Sequence, residues 1–304
     1  MQLKIVLHIA TALACSFYIT GLRAQPSEQA RISDASIGFA AAIIKDQRMV
    51  DQSIVYAYSG DQDKPGLLFI HGTPGSWAAF ETYLASPSLQ EEYFMVSVDR
   101  LGWGKSAISK ASIKPSGKSK NNTKGQARKK RVAGDFELQA RSIGSVMAKY
   151  PNKKWLLIGH SLGASIAPKV AIIEPDKVSA LLLLAGSLSP KLGKPRWYNR
   201  IANTIVAKWL LPKNLHYSND EIMALRKELE VLDEQIKSSQ LNTQVVVIQG
   251  LKDRLVSPKN ADYAKRNWRQ HFADLKVIEL AEASHFIPWQ QSHLVVQTIR
   301  QFEH

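Results

Sequence analysis

The sequence holds a single cysteine, Cys15, and it lies inside an N-terminal apolar run. The rest of the chain therefore has no disulfide, no thiolate metal site and no cysteine nucleophile. No grouping of His, Asp and Glu falls at metal-ligand spacing either, so neither a metal nor another cofactor is expected. Internal repeats are absent. Acidic residues are missing from one stretch altogether. From Lys105 to Arg131 there are ten Lys or Arg and no Asp or Glu. Without those ten, 30 basic residues face 26 acidic ones, so the net +14 shrinks to +4. The body is near neutral, and one segment makes the chain basic.

That segment, 105–134, is rich in Lys, Ser, Gly and Asn and poor in large apolar residues. It reads as a flexible surface loop. A solvated insertion is the plain reading, and contact with an anionic membrane or cell-surface polyanion is the functional one. Nucleic acid is not an expected partner, because no aromatics are interleaved with the charges. Asn121-Asn122-Thr123 is a glycosylation sequon that matters only in a eukaryotic secretory pathway.

Residues 1–24 read as an export signal: Lys4 supplies the positive start, Ile5 to Leu22 are mostly apolar, and Leu22-Arg23-Ala24 ends on a small residue. An uncleaved membrane anchor is the alternative, and Ala12-Leu13-Ala14-Cys15 loosely fits a lipoprotein signal. Each reading places the domain outside the cytoplasm, whether periplasmic, anchored on the outer side of the inner membrane, or secreted.

The remaining 25–304 suit one large domain. A helix is expected around Ala35 to Lys45. Short apolar runs at Ser53–Tyr58, Gly66–Ile70, Phe94–Val98, Trp155–Ile158, Val178–Leu184, Gln244–Ile248 and Leu275–Leu280 read as strands. Helical patterns between them, such as Phe136 to Met147, predict βα units and a mostly parallel sheet with helices on both faces. Between 188 and 242 the strands stop. Trp197, Ile201, Ile205 and Trp209 repeat at helical spacing until Pro212, and Ser218-x-x-Glu221 reads as a capping box before a second helix.

The most informative stretch is Trp155 to Ser165, where a buried strand reaches Gly159-His160-Ser161-Leu162-Gly163 and a small-residue helix leaves it. Glycines without Cβ atoms let the two segments approach, and Ser161 projects from the turn at a helix N-terminus that favours negative charge. A serine hydroxyl is a weak nucleophile until a base takes its proton, and the base needs a partner that fixes its tautomer. His285 follows the last strand and Asp253 the strand before it, on the same sheet edge as Ser161. His160, beside the nucleophile, reads as structural.

Five ordered motifs carry a resemblance over roughly residues 50–304: His71-Gly72-Thr73-Pro74-Gly75, Asp99 to Ser106, Gly159 to Gly163, Gly250 to Asp253, and Ser284-His285-Phe286. Together they resemble the α/β-hydrolase superfamily. The resemblance implies a Ser161–His285–Asp253 triad and oxyanion donors from the backbone N–H groups of Leu162 and Thr73. It implies that His71 braces the oxyanion loop, that the Thr73–Pro74 bond is cis, that Asp99 to Ser106 is a structural turn, and that 188–242 is a short cap over the site. Haloalkane dehalogenases and epoxide hydrolases carry a nucleophilic aspartate where this chain has Ser161, which disfavours those activities. Proline iminopeptidases share a similar His-Gly-x-Pro-Gly loop, but their usual glycine is replaced here by Thr73. The expected reaction is cleavage of an ester, thioester or related small acyl compound through an acyl-enzyme. Amide or peptide cleavage, and a non-catalytic receptor role on the same fold, are the alternatives.

The basic stretch generates one measurement. If it contacts anionic surfaces, liposome binding should weaken steeply with salt, since exposed charges are screened over about 10 Å at 0.1 M. Deleting Lys110 to Arg131 should abolish that binding; equal binding by the deletion variant contradicts it.

Overall fold

A computed structural model describes residues 36–43, 51–106, 134–204 and 211–302. Residues 1–24, on which the export reading rests, Lys110 to Arg131, and Ile205 and Trp209 of the expected cap lie outside the described residues.

Strands covered on both faces need apolar residues at nearly every position, and the central runs Gly66–Ile70, Trp155–Ile158 and Ala180–Leu184 have that character. Eight strands form one sheet: β1 (Ser36–Ile43), β2 (Asp51–Ser59), β3 (Gly66–Ile70), β4 (Phe94–Val98), β5 (Trp155–His160), β6 (Val178–Leu184), β7 (Leu241–Gly250) and β8 (Phe272–Leu280). Their order is β1-β2-β4-β3-β5-β6-β7-β8. β2 pairs antiparallel with both β1 and β4, and the other pairings are parallel.

Alternate residues of the central strands enter two separate cores. Leu68 and Ile70 of β3, Leu157 of β5, Leu181 and Leu183 of β6 and Val245 and Val247 of β7 face one side. There they meet helices α1 (Phe136–Met147) and α2 (Leu162–Ile173). Leu67, Phe69, Leu156, Ile158, Leu182, Leu184 and Ile248 face the other, against Phe80, Tyr83, Leu84, Val295 and Ile299. The mostly parallel sheet with helices on both faces is therefore as expected.

Two expectations need correction. Ser36–Ile43 forms a strand, not a helix. Its eight residues pair with β2 from Ser36 opposite Tyr58 to Ile43 opposite Asp51, and this pairing outweighs the helical preference of its three alanines. The capping box at Ser218 and Glu221 does not exist. After α3 (Trp197–Ala202), helix α4 runs unbroken over Lys213–Lys237 from Pro212. Ser218 is buried within it, and Glu221 spends its carboxylate on Arg100. The far end of α4 joins the main core through Leu229, Leu232 and Ile236.

The crossing of α2 over the sheet edge depends on Gly163, where an added Cβ would lie 2.1 Å from the Ile70 carbonyl oxygen. Backbone on both sides cannot yield cheaply. Gly163→Ala should cost about 1–3 kcal/mol and lower the Tm measurably; an unchanged thermal transition contradicts this packing.

Candidate active site

The turn after β5 holds Ser161 at φ 55° and ψ −117°, a left-handed region that non-glycine residues rarely enter. Its backbone is fixed on both sides: the N–H donates to the Leu184 carbonyl at 2.9 Å, and its carbonyl accepts from Ala164 at 3.1 Å. Ser161 is the N-cap of α2, so the free N–H groups of the first turn begin with Leu162. The strand and helix can diverge this abruptly because an added Cβ on Gly159 would sit 2.5 Å from the Gly163 carbonyl oxygen.

Asp253 and His285 come from the turns after β7 and β8, and the backbone joins those turns before the side chains meet. Leu251 N–H donates to the Leu280 carbonyl at 2.9 Å, and Lys252 N–H to the Ala283 carbonyl at 3.0 Å. His285 Nδ1 then lies 2.7 Å from Asp253 Oδ2, both side chains almost wholly buried. Burial opposes ionisation of Asp253, but the His285 hydrogen bond and charge, with the N–H groups of Val256 and Leu255, hold its pKa below the usual value. Those two N–H groups reach Oδ1 at 2.8 Å each, and Gln249 Nε2 reaches Oδ2 at 3.2 Å. The carboxylate can therefore fix the Nδ1–H tautomer of His285 and leave Nε2 free to take a proton.

His160 connects the serine turn to this pair. Its Nε2 lies 2.9 Å from the His285 carbonyl oxygen, and the two rings are 4.8 Å apart. Trp289 closes on its other side at 5.1 Å, edge-on. Burial, then the proximity of His285, lowers the His160 pKa to about 3, so it stays neutral. The loop His71-Gly72-Thr73 lies against Ser161: a Cβ on Gly72 would come 2.9 Å from the serine Cβ. The Thr73–Pro74 bond is cis. His71 is fully buried, and burial followed by the Arg100 charge lowers its pKa well below the usual value.

The structure thus brings Asp253 and His285 into direct contact and lays the Thr73 loop on Ser161. It also shows residues that sequence reasoning missed. Asp99 to Ser106 reads as a turn from sequence; its Arg100 is completely buried and paired with Glu221 of α4 at 2.7 Å. The partners are 121 residues apart, so no spacing betrays them. Gln249 lay unnoticed at the end of a strand.

A family profile described as alpha/beta hydrolase fold matches residues 65–214. Over those residues the chain is similar to that family, and it has the α/β-hydrolase fold. Among curated proteins it is similar to epoxide hydrolase 4 of Mus musculus, 25% identical over 184 residues, 60% of this chain and 44% of that protein. Among solved structures, Cfl2 from Burkholderia cenocepacia superposes with a TM-score of 0.65 at 15% identity, over 90% of this chain and 97% of that one. A laboratory-evolved potato epoxide hydrolase gives 0.61 at 17%, over 88% and 99%. The thioesterase domain from the curacin biosynthetic pathway gives 0.60 at 18%, also over 88% and 99%. At these identities the structural likeness speaks for the fold alone.

The neutral His160 has a consequence for stability. The folded protein keeps it uncharged down to about pH 3, whereas the unfolded chain protonates it near the ordinary value of 6.5. Stability from this group is complete above that value and is lost as pH falls through the window. His160→Gln should show a shallower loss of Tm between pH 6.5 and pH 4 than the wild type; an equal slope contradicts a neutral buried imidazole.

Proposed function

We propose that this protein is a serine hydrolase that cleaves an ester, thioester or related small acyl compound through an acyl-enzyme. The observation that carries the reading is the buried 2.7 Å hydrogen bond between His285 Nδ1 and Asp253, in turns at the same sheet edge as Ser161, which sits in a left-handed turn after β5. In this reading His285 Nε2 takes the proton of Ser161 Oγ as it attacks the acyl carbonyl, then passes it to the leaving group. Water repeats the sequence on the acyl-enzyme. The N–H groups of Leu162 and Thr73 receive the charge that develops on the carbonyl oxygen.

The curated relative and several of the structural relatives are named epoxide hydrolases. Chemistry argues against that reaction here. A serine that opens an epoxide forms an ether, which has no carbonyl for water to attack, so the enzyme would be consumed rather than turned over. An acyl ester of Ser161 has such a carbonyl. Amide cleavage uses the same groups and differs in the leaving group that His285 must protonate. Export of the chain and contact of the 105–131 segment with anionic surfaces belong to the same proposal and rest on sequence alone.

The test is turnover of p-nitrophenyl esters of graded chain length, then of amides. Ser161→Ala should abolish it. Asp253→Asn keeps the size but would bond the wrong tautomer of His285, and in serine-protease triads the equivalent change lowers turnover about 10⁴-fold. A loss of roughly three to four orders of magnitude is expected, with circular dichroism unchanged. Turnover that survives Ser161→Ala defeats the proposal, and Asp253→Asn above about a tenth of wild type removes Asp253 from its role. A protein that turns over no acyl compound at all would point to a binding role on this fold.

A further inference from the structure

The Arg100 side chain is fully buried, yet its guanidinium faces four oxygen atoms. Nε donates to the His71 carbonyl at 2.9 Å, and Nη2 to the Gly72 carbonyl at 2.9 Å. Nη1 and Nη2 reach the two oxygens of Glu221 at 2.7 and 3.2 Å. His71 completes the arrangement: its Nδ1 lies 2.7 Å from the Gly72 carbonyl, and its Nε2 accepts from the Arg100 N–H at 3.1 Å. The Gly72 carbonyl therefore has two donors, the Arg100 guanidinium and the His71 ring.

A trans peptide points its carbonyl and its following N–H in opposite directions. The cis bond in this loop is Thr73–Pro74, so the Gly72–Thr73 peptide is trans. Pinning the Gly72 oxygen on one side thus aims the Thr73 N–H to the other. Resting on the serine-hydrolase reading above, we propose that Arg100 is a positioning residue for the oxyanion donor at Thr73, locked in place by Glu221 of the cap helix. The cap is in this way joined to the backbone that stabilises the transition state. Glu221 also accepts from Trp103 Nε1 at 3.0 Å, and Trp103 packs edge-on against Tyr217 of the same helix at 5.3 Å. The pair is bidentate, which a lysine cannot reproduce.

Arg100→Lys tests this directly, since it keeps the charge and gives up the two-carbonyl grip. Turnover of a p-nitrophenyl ester should fall about 10- to 100-fold, somewhat less than complete removal of an oxyanion donor, with KM little changed. Inhibition by a trifluoromethyl ketone, whose adduct places an oxyanion in the same position, should weaken in proportion. Should Arg100→Lys fail to fold, Arg100→Met/Glu221→Leu removes both buried charges together and leaves neither stranded. Arg226→Ala, in an exposed pair with Glu230 on the same helix, should leave kcat unchanged. Unchanged kcat and inhibitor affinity in the Arg100 variants overturn the proposal, as does a loss of kcat that leaves inhibitor affinity intact. If the wild type hydrolyses no acyl compound, the serine-hydrolase reading fails separately. A crystal structure of the variant then decides the positioning claim, supporting it if the Gly72–Thr73 peptide has turned and overturning it if the peptide stays in place.

Discussion

A buried parallel strand and the helix that follows it can be joined by one residue only if their backbones nearly touch. Here that constraint is met at Gly159 and Gly163, and its cost is carried by Ser161, forced to φ 55°. Much of the remaining architecture serves that turn. The Leu184 carbonyl of the neighbouring strand holds its N–H, the Gly72 loop lies against its Cβ, and His160 on its other side braces the turn that bears His285. A strained residue persists only when its surroundings over-determine it, and each of these contacts is also a contact of the candidate site.

The electrostatics follow a consistent pattern. Buried groups beside the serine are either kept neutral, as His71 and His160 are, or paired, as Arg100 is with Glu221. Asp253 is held ionised by His285 and by backbone N–H groups. The site thus keeps few fixed charges near the serine, and those it has are already satisfied by protein atoms.

Much of this was legible in the sequence, and the reasons differ by element. Strands β3 and β4 could be read to the residue because each is a five-residue apolar run bounded by turn residues. β7 extends three residues before the run that was read, because Leu241-Asn242-Thr243 mixes polar and apolar positions. β1 is a strand although Ala40-Ala41-Ala42 favour a helix: Ile37 and Phe39 alternate with smaller residues over too short a stretch to decide, and pairing with β2 imposes the conformation. Ser161, Asp253 and His285 stood out because each follows a strand in sequence. Arg100 and Glu221 were hidden for the opposite reason: a charged residue in a turn or on a helix normally faces water, and only tertiary packing shows that these two do not.

The three residues of the proposed triad leave the sheet from β5, β7 and β8, with β6 between the serine and its partners. Neighbouring strands in a sheet are rotated against one another by roughly 20–25°. The distance across which a proton would travel from Ser161 to His285 is therefore set by the accumulated rotation of the strands from β5 to β8. Ala180, Leu182 and Leu184 of β6, buried on one face of the sheet, pack that section. Substitutions in this hydrophobic layer would act like an adjustment of focus, changing reactivity through curvature while every polar group keeps its own partners.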